Sequence, residues 1–330
     1  MNNKICVVYS HHKLGDLIWQ LPYIESISNF HKCPITLVTR EKTQAKKILQ
    51  DELYINEVFY NNFRKKFWYF YEIYLLYKFF KKKNFSHIYL LDKINRPAIA
   101  AKLAKIKHII GPGIKNQKKW LTNKNFLDDS DFLLNYSTQS KKLLEINNIF
   151  IKKFIPSLNI KSLSLDKSPP DLNSHSKEIC ISFGVDSFED YKMWYEEYFA
   201  ELSEKLLKKN IGTFFYLICG PDKSYISKKI INNAVHNRFY DCSHLDLLGV
   251  IKVIKNSIFF VGNNSGPLNL SSALGVKTFG LISGSSLEEL KFTNIIPVIP
   301  NGYVDQFIKN REEMNKITVD RVLEIIEQNI

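Results

Sequence analysis

Three short segments carry residue types that can do chemistry, and each lies close behind a predicted strand. They are Gly15-Asp16, Lys192-Met193-Trp194 and the run Gly262-Asn263-Asn264-Ser265-Gly266-Pro267. An aspartate can accept a proton, and a lysine offers a point charge for phosphate. A turn that opens a helix binds anions through its main-chain N–H groups. These residue types indicate an anion site and a carboxylate that can act as a base.

The Gly15-Asp16 pair follows the first predicted strand and opens a predicted helix. Gly15 permits a tight turn, and the positive end of the helix dipole stabilises the Asp16 carboxylate. Two interpretations are open at this position. Asp16 is a catalytic base, or it only caps the helix.

The run from Gly262 to Pro267 is the strongest of the three signals. The hydrophobic strand Ile258–Val261 runs into it, and a helix of small residues follows. Pro267 suits the first turn of that helix, whose N–H groups and dipole favour an anion. We predict an anion site here, and the alternative is an ordinary strand-to-helix turn.

Motifs of several other protein classes are missing from the sequence. The chain has no Gly-x-Gly-x-x-Gly after a strand, no Gly-x-x-x-x-Gly-Lys-Ser/Thr and no His-Glu-x-x-His, which disfavours dinucleotide oxidoreductases, NTPases and zinc proteases. Its five cysteines are scattered, so neither a zinc site nor a disulfide framework is expected. One Asp-x-Asp, Asp129-Ser130-Asp131, lies in a polar stretch without a strand before it. We interpret it as a solvated loop and expect no metal site.

Short β-branched runs alternate with longer helical patterns, which is typical of parallel α/β sheets. Strands are predicted at Ile5–Tyr9, Ile35–Thr39, His87–Leu91, His108–Ile110, Glu178–Phe183, Thr213–Cys219, Ile258–Val261 and Lys277–Ile282. The polar stretch 166–176 interrupts this rhythm and predicts a linker. We therefore expect two Rossmann-like parallel-sheet domains, 1–165 and 177–330, that face each other across a cleft and bind ligands at the carboxyl ends of their strands.

The formal net charge of +13 attracts polyanions, whether nucleic acid, anionic lipid or phosphorylated glycolipid. No nucleic-acid-binding motif is recognisable, so no nucleic-acid partner is expected. The first strand-like run begins almost at Met1 without a signal-peptide cleavage site, and no apolar stretch reaches the roughly 20 residues that span a bilayer. We expect a cytoplasmic protein.

An aromatic segment, FWYFYEIYLLYKFF at Phe67–Phe80, lies between the basic triplets 64–66 and 81–83. It is too short to span a membrane, but basic flanks and aromatic rings are typical of interfacial helices. Two interpretations are open. The segment contacts the anionic inner membrane peripherally, or it is a helix buried against the first sheet.

Together, these motifs resemble glycosyltransferase family 9, the lipopolysaccharide heptosyltransferases. The resemblance covers most of the chain in the family's order. The segments that carry it are Gly15-Asp16-Leu17-Ile18-Trp19-Gln20-Leu21-Pro22, HIYLLDKINRPAIAAKLAKIKHIIGPG, Lys192-Met193-Trp194, Cys219-Gly220-Pro221-Asp222 and Asn264-Ser265-Gly266-Pro267-Leu268-Asn269.

The resemblance implies a GT-B fold and an inverting, metal-independent transferase without a cofactor. The implied donor is a nucleotide sugar, usually ADP-heptose, and the acceptor is a lipid-linked oligosaccharide such as the lipopolysaccharide core. Asp16 corresponds to the catalytic general base, and Gly15 beside it corresponds to a donor-binding residue. Lys192 and the turn at Ser265-Gly266-Pro267 correspond to the residues that hold the leaving diphosphate, with Trp194 in the same donor site. Asp222 corresponds to a residue near the ribose, and the final helix, Val319–Gln328, is expected to pack back on the N-terminal domain.

Two positions depart from the family pattern. Asn264 stands where the family has an acid, and Asn269 stands where it has histidine. Asparagine keeps hydrogen-bonding capacity but carries no charge and shuttles no proton. The expected consequence is a donor other than heptose, or lower activity. The alternative is a catalytically degenerate sugar-nucleotide-binding protein in an envelope-assembly complex.

Overall fold

A computed structural model describes residues 4–11, 13–64, 67–123, 179–284, 287–290, 294–305 and 308–330. The chain divides into two compact units, Met1–Lys161 and Ser162–Ile330. The predicted linker, 166–176, and the Asp129-Ser130-Asp131 motif lie outside the described residues.

The first unit is built on a five-stranded parallel sheet in the order β3-β2-β1-β4-β5. Its strands are β1 Ile5–Val8, β2 Ile35–Thr39, β3 Ile55–Tyr60, β4 His87–Leu90 and β5 His108–Ile110. Its helices are α1 Leu14–Ile18, α2 Leu21–His31, α3 Ala45–Ile48, α4 Trp68–Lys83 and α5 Arg96–Leu103. Two 3₁₀ turns, Glu41–Thr43 and Lys115–Trp120, complete the described part of this unit.

The second unit is built on a six-stranded parallel sheet in the order β11-β10-β9-β6-β7-β8. Its strands are β6 Cys180–Gly184, β7 Phe214–Ile218, β8 Phe239–Asp241, β9 Phe259–Asn263, β10 Lys277–Leu281 and β11 Ile295–Val298. Its helices are α6 Glu196–Lys208, α7 Ser224–Asn233, α8 Leu247–Lys255, α9 Gly266–Ala273, α10 Glu312–Asn315 and α11 Val319–Glu327. Short 3₁₀ turns occur at Asp190–Lys192, Pro221–Lys223 and Leu287–Leu290.

The central strands are apolar runs because both faces of each sheet are covered. All residues of β1, β2, β6 and β9 are buried. The eight predicted strands are confirmed to within about two residues of their observed ends. Three strands that the sequence pattern did not indicate, β3, β8 and β11, lie at sheet edges and are less buried. Edge strands carry a weaker apolar signal because one side of them is open.

The apolar pattern over Leu17–Asn29 predicts a single helix, whereas the structure has two, α1 and α2, separated at Trp19-Gln20. Pro22 lies in the first turn of α2. Proline has no N–H to continue the hydrogen-bond ladder of a preceding helix, and it is favoured where a new helix begins.

The final helix, α11, buries Val322, Leu323 and Ile326 in the core of the second unit. It packs beside α6, and the Lys205 ammonium of α6 lies 2.6 Å from an Asp320 carboxylate oxygen. The expected packing of this helix on the first domain stays a prediction. No helix in the described ranges is long and apolar enough to cross a membrane.

Candidate functional site

The carboxyl edge of the first sheet holds Asp16, in the first turn of α1 as predicted. Its side chain is 13% exposed, and its Oδ2 lies 3.9 Å from His11 Nδ1. The His11 ring stacks on Tyr9, with ring centroids 5.3 Å apart. Gly15 is buried in the same turn. The short connection after β1 therefore holds a carboxylate beside an imidazole, both within reach of solvent.

Tyr9 lies beneath this pair and was not indicated by the sequence. Its hydroxyl is buried and has no hydrogen-bond partner among the described residues. Burial, with smaller contributions from the Asp16 and Asp92 carboxylates, raises the pKa of the Tyr9 phenol well above its usual value. The Tyr9 phenol therefore stays neutral.

Asp92, just after β4, stabilises the same edge of the sheet. The sequence pattern did not indicate this residue either. Its carboxylate accepts hydrogen bonds from the N–H of Ser10 at 2.6 Å and of Ile94 at 3.0 Å. The Gln117 amide donates to the carbonyls of Asp92 and Ile94 at 2.8 and 3.1 Å. The residues after β1 and β4 are thus fixed to each other, and these bonds hold the turn that carries Asp16 in place.

A basic cavity of about 480 Å³ opens near the ends of β2 and β3, lined by Arg40, Lys42, Asn62 and Arg64. The Arg40 guanidinium donates to the main-chain carbonyls of Ser10, Asn62 and Phe63. Because these acceptors are neutral, the bonds orient the guanidinium without cancelling its charge. The cavity therefore suits an anionic group.

In the second unit, Lys192 lies in the 3₁₀ turn Asp190–Lys192, after β6. Its side chain is only 7% exposed, and its ammonium lies 2.7 Å from a Glu189 carboxylate oxygen. The sequence suggests a lysine that reaches for phosphate, whereas the structure pairs this charge with an acid. A phosphate that binds Lys192 must therefore share the ammonium group with the Glu189 carboxylate or displace that carboxylate.

Asn263, the last residue of β9, ties the Lys192 turn to the start of α9. It is fully buried. Its side-chain oxygen accepts from the N–H of Trp194 at 2.9 Å, and its side-chain nitrogen donates to the Val185 carbonyl at 2.9 Å. The Ser187 hydroxyl donates to the Asn264 carbonyl at 3.3 Å. The loop 185–194 and the turn 263–266 therefore form one bonded junction.

The assignment of Trp194 to donor contact needs correction. The ring is 1% exposed and belongs to the apolar core of the second unit, edge-on to Phe199 at 5.0 Å between centroids. Its indole N–H donates to the Ile317 carbonyl at 2.8 Å. An indole that is enclosed and hydrogen-bonded in this way anchors the Lys192 turn to the core of the second unit.

The start of α9 has the features expected of an anion site. Pro267 lies in its first turn. A side chain at Gly266 would meet no atom within 4 Å, so the space beside its main chain is open. The Ser265 hydroxyl has no hydrogen-bond partner among the described residues. N–H groups of a first helical turn have no acceptor within the helix.

The two asparagines that depart from the family pattern differ in setting. Asn269 is 5% exposed, and its side-chain nitrogen donates to the Ser265 carbonyl at 3.0 Å. Asn264 is partly exposed. Asn269 therefore stabilises the turn from within the helix, and Asn264 is the member that a ligand can reach.

Asp222 is exposed in the 3₁₀ turn Pro221–Lys223, after β7. The neighbouring Gly220 N–H donates to Asp186 Oδ2 at 2.8 Å, and the Lys223 ammonium donates to the Ser187 carbonyl at 2.6 Å. Burial raises the pKa of Asp186, and the Gly220 N–H and Lys223 partly offset this rise. Asp186 was missed, although an acid just after a buried strand was a usable signal.

The structure thus brings together the second-unit residues of the predicted site: Lys192, Asp222, Asn264, Ser265, Gly266, Pro267 and Asn269. They follow β6, β7 and β9, neighbouring strands at the middle of the sheet. Gly15 and Asp16 occupy the corresponding edge of the first sheet. Among the described residues, no group of three or more His, Cys, Asp or Glu side chains is placed to hold a metal ion.

Comparison with solved structures gives the same architecture. The chain superposes on E. coli ADP-heptose LPS heptosyltransferase II with a TM-score of 0.75 and 17% identity, covering 98% of both chains. Against a family 9 glycosyltransferase from Veillonella parvula, the TM-score is 0.77 at 16% identity, covering 99% of this chain and 98% of the other. E. coli heptosyltransferase WaaC with ADP gives 0.75 at 16% identity, covering 99% and 100%.

No curated protein matches the sequence significantly. The family model for glycosyltransferase family 9 (heptosyltransferase) matches residues 76–303, more than half of the chain. Two parallel-sheet α/β units are the architecture of the GT-B heptosyltransferases, as the resemblance implied. The chain belongs to glycosyltransferase family 9.

Proposed function

We propose that this protein is an inverting, metal-independent glycosyltransferase that moves a sugar from a nucleoside-diphosphate donor to a lipid-linked acceptor. Family membership supports sugar transfer. The observation that carries the donor site is the junction at Asn263, which joins the Lys192 turn to the start of α9. Both parts supply positive electrostatic potential, and a leaving diphosphate needs it.

Asp16 is the proposed general base. In the proposed step its carboxylate takes the proton of the acceptor hydroxyl, whose oxygen forms a bond to the anomeric carbon. The bond from that carbon to the diphosphate oxygen breaks, and the nucleoside diphosphate leaves with the electron pair. Attack from the face opposite the leaving group inverts the anomeric centre. The His11 imidazole lies beside this carboxylate, with Nδ1 3.9 Å from Oδ2.

Lys192, the Ser265 hydroxyl and the N–H groups of Ser265 and Gly266 are the proposed ligands of the diphosphate. They supply the charge stabilisation that a metal ion supplies in other transferases, so no metal or cofactor is required. Asp222, exposed near the same junction, is the proposed partner of the ribose. Asn264 is the proposed contact of the donor sugar.

The donor class is a nucleotide sugar, with ADP-heptose the first candidate because neighbouring structures contain ADP or ADP-2-deoxy-2-fluoro heptose. The proposed acceptor is the lipopolysaccharide core or another lipid-linked oligosaccharide. The basic cavity at Arg40, Lys42 and Arg64 supports an acceptor that carries phosphate or carboxylate groups. An acceptor of this kind places the protein at the cytoplasmic face of the inner membrane, in peripheral contact with anionic lipid.

Two observations favour a second candidate, a sugar-nucleotide-binding protein without transferase activity. Lys192 is paired with Glu189, and asparagine stands at both departures from the family pattern. Release of the nucleoside diphosphate distinguishes the two candidates. The assay supplies nucleotide sugars and a lipid-linked acceptor in the presence of EDTA. Acceptor-dependent release supports transfer without a metal. Binding without release supports the second candidate, and release that requires magnesium or manganese contradicts metal independence.

A further inference from the structure

The helix α4 presents two unlike faces. Its inner face buries Ile73, Leu76, Phe79 and Phe80 in the core of the first unit. The first half of its outer face, together with Phe67 just before the helix, exposes aromatic rings, those of Phe67, Trp68, Phe70, Tyr71 and Tyr74. Its second half exposes Lys78, Lys81 and Lys82. We refer to these eight residues as the aromatic–lysine face.

The spacing shows that this face is one continuous stripe. Seven of the eight positions, 67, 70, 71, 74, 78, 81 and 82, recur at three and four residues, which places them on one side of a helix, and Trp68 lies at the edge of that side. Phe67 is 96% exposed and Phe70 is 80% exposed. Contiguous exposed aromatic side chains on a folded protein mark a surface that binds something.

The helix is held firmly enough to act as a docking element. Its one acid, Glu72, is buried and lies 2.5 Å from the Arg96 guanidinium of α5. The Phe59 ring of β3 stacks on Phe79 at 3.9 Å between centroids. These inward contacts fix the rotation of α4 about its axis, so the outer stripe has a defined direction.

The chemistry of the stripe selects its occupant. The aromatic–lysine face contains no acid, and the Lys78 and Lys81 ammonium groups lie over the rings of Tyr74 and Tyr77. The Arg64 guanidinium lies 5.1 Å from the Trp68 ring centroid, so the basic cavity adjoins the aromatic half. Aromatic rings favour the bilayer interface, and lysines are attracted to anionic headgroups. Charge complementarity therefore favours a partner whose surface is negatively charged and whose apolar groups lie just below that charge.

We propose that the aromatic–lysine face docks this protein on an anionic bilayer, with the rings of Phe67, Trp68 and Phe70 inserted at the interface and Lys78, Lys81 and Lys82 on headgroups. The aromatic end of α4 lies deeper, and the mouth of the basic cavity beside Trp68 faces the headgroup layer. This inference rests on the proposed peripheral membrane contact and adds its residues and orientation. It does not depend on the identity of the donor.

The test is sedimentation with phosphatidylcholine vesicles that contain or lack phosphatidylglycerol. The wild type is expected to bind the anionic vesicles selectively. Replacing Lys78, Lys81 and Lys82 with glutamine is expected to weaken binding about fivefold per lysine at low salt and to reduce its salt dependence. Replacing Phe67 and Phe70 with serine is expected to weaken binding about tenfold or more at any salt.

Matched controls come from exposed residues elsewhere. Leu53 and Val235 are 95% and 87% exposed, and their serine variants control for loss of apolar surface. Lys208, Lys228 and Lys252 are exposed on helices of the second unit, and their glutamine variants control for net charge. Both control variants are expected to bind vesicles like the wild type.

Trp68 reports the orientation. Brominated lipid is expected to quench wild-type tryptophan fluorescence and to lose most of this effect in Trp68→Phe, because Trp19 and Trp194 are buried and Trp120 is only partly exposed. The proposal is overturned if the wild type binds neutral and anionic vesicles equally, if it binds neither, or if the face variants match their controls. Nucleoside-diphosphate binding, measured on the same variants, is expected to be unchanged and separates this outcome from failure of the proposed donor site.

Discussion

The side-chain oxygen of Asn263 accepts a hydrogen bond from the main-chain N–H of Trp194 at 2.9 Å. This single contact joins the last residue of β9 to the turn that carries Lys192. The opposite end of the same amide donates to Val185. One buried asparagine therefore sets the distance between the proposed lysine and helix contributions to the diphosphate site.

The first prediction is that Asn263→Ala destabilises the protein and weakens donor binding together. The change leaves the Trp194 N–H and the Val185 carbonyl without their side-chain partner, at a cost of about 1–3 kcal/mol for each buried group. Urea denaturation measures the loss of stability, and calorimetry with a nucleoside diphosphate measures binding. Ser187→Ala, which removes only the longer bond to Asn264, is the control and is expected to have a small effect. Full stability in Asn263→Ala would contradict the proposed junction.

The second prediction concerns the ion pair between Lys192 and Glu189. Lys192→Gln is expected to weaken nucleoside-diphosphate binding by about tenfold to a hundredfold, since a charged hydrogen bond in a partly buried site contributes about 1.5–3 kcal/mol. Glu189→Gln is expected to strengthen binding, because it removes the anion that competes with phosphate for Lys192. Binding that weakens equally in both variants would show that the pair acts as a structural unit instead.

The third prediction separates packing from ligand contact at Gly266. Space beside this glycine is open, so Gly266→Ala is expected to leave the free energy of unfolding unchanged or slightly higher. The added methyl group occupies the space proposed for the diphosphate, and binding is expected to fall about tenfold or more. Gly184→Ala is the contrasting control, since its side chain would overlap the Phe260 ring and destabilise the core. Unchanged donor affinity in Gly266→Ala would place the diphosphate elsewhere.

The alternation of apolar runs and helical patterns was sufficient to predict both parallel sheets, because the central strands are buried on both faces. The edge strand Ile55–Tyr60 was missed because Asn56 and Glu57 interrupt its apolar pattern. The two interpretations of Phe67–Phe80 were not exclusive. One side of α4 is buried and the other is exposed. The apolar content of the whole segment does not show which residues lie on which side.

The candidate site was predicted only in part, for a physical reason. Asp16, Lys192 and the turn at Ser265-Gly266 follow predicted strands, and strand ends are where sequence can place a site. Asn263 and Asp186 act through bonds between residues distant in sequence, and these bonds exist only in the folded sheet. Trp194 was assigned to the donor because it lies two residues after Lys192, whereas its ring belongs to the core and its indole N–H donates to the Ile317 carbonyl, a contact that sequence spacing does not indicate.

The fourth prediction concerns donor choice. Restoring the family residues with Asn264→Asp and Asn269→His is expected to shift preference toward ADP-heptose, because an acid accepts hydrogen bonds from sugar hydroxyls at both oxygens. A competition series of nucleotide sugars on the wild type and the double variant measures the shift. Asn264→Asp alone is the more informative single variant, since Asn269 is buried against the Ser265 carbonyl. Efficient use of ADP-heptose by the wild type, with no gain in the double variant, would show that the asparagines are neutral replacements.

The most direct test of the proposed reaction compares sugar transfer and donor binding in Asp16→Asn. With the best nucleotide sugar and a lipid-linked acceptor, the variant is expected to bind donor with nearly normal affinity. Its rate of acceptor glycosylation is expected to fall by about two to four orders of magnitude, the usual scale of general-base catalysis. Asp51→Asn, an exposed acid of the same unit, is the control and is expected to keep the wild-type rate. Near-normal transfer by Asp16→Asn would contradict the assignment of Asp16 as the base and the mechanism built on it.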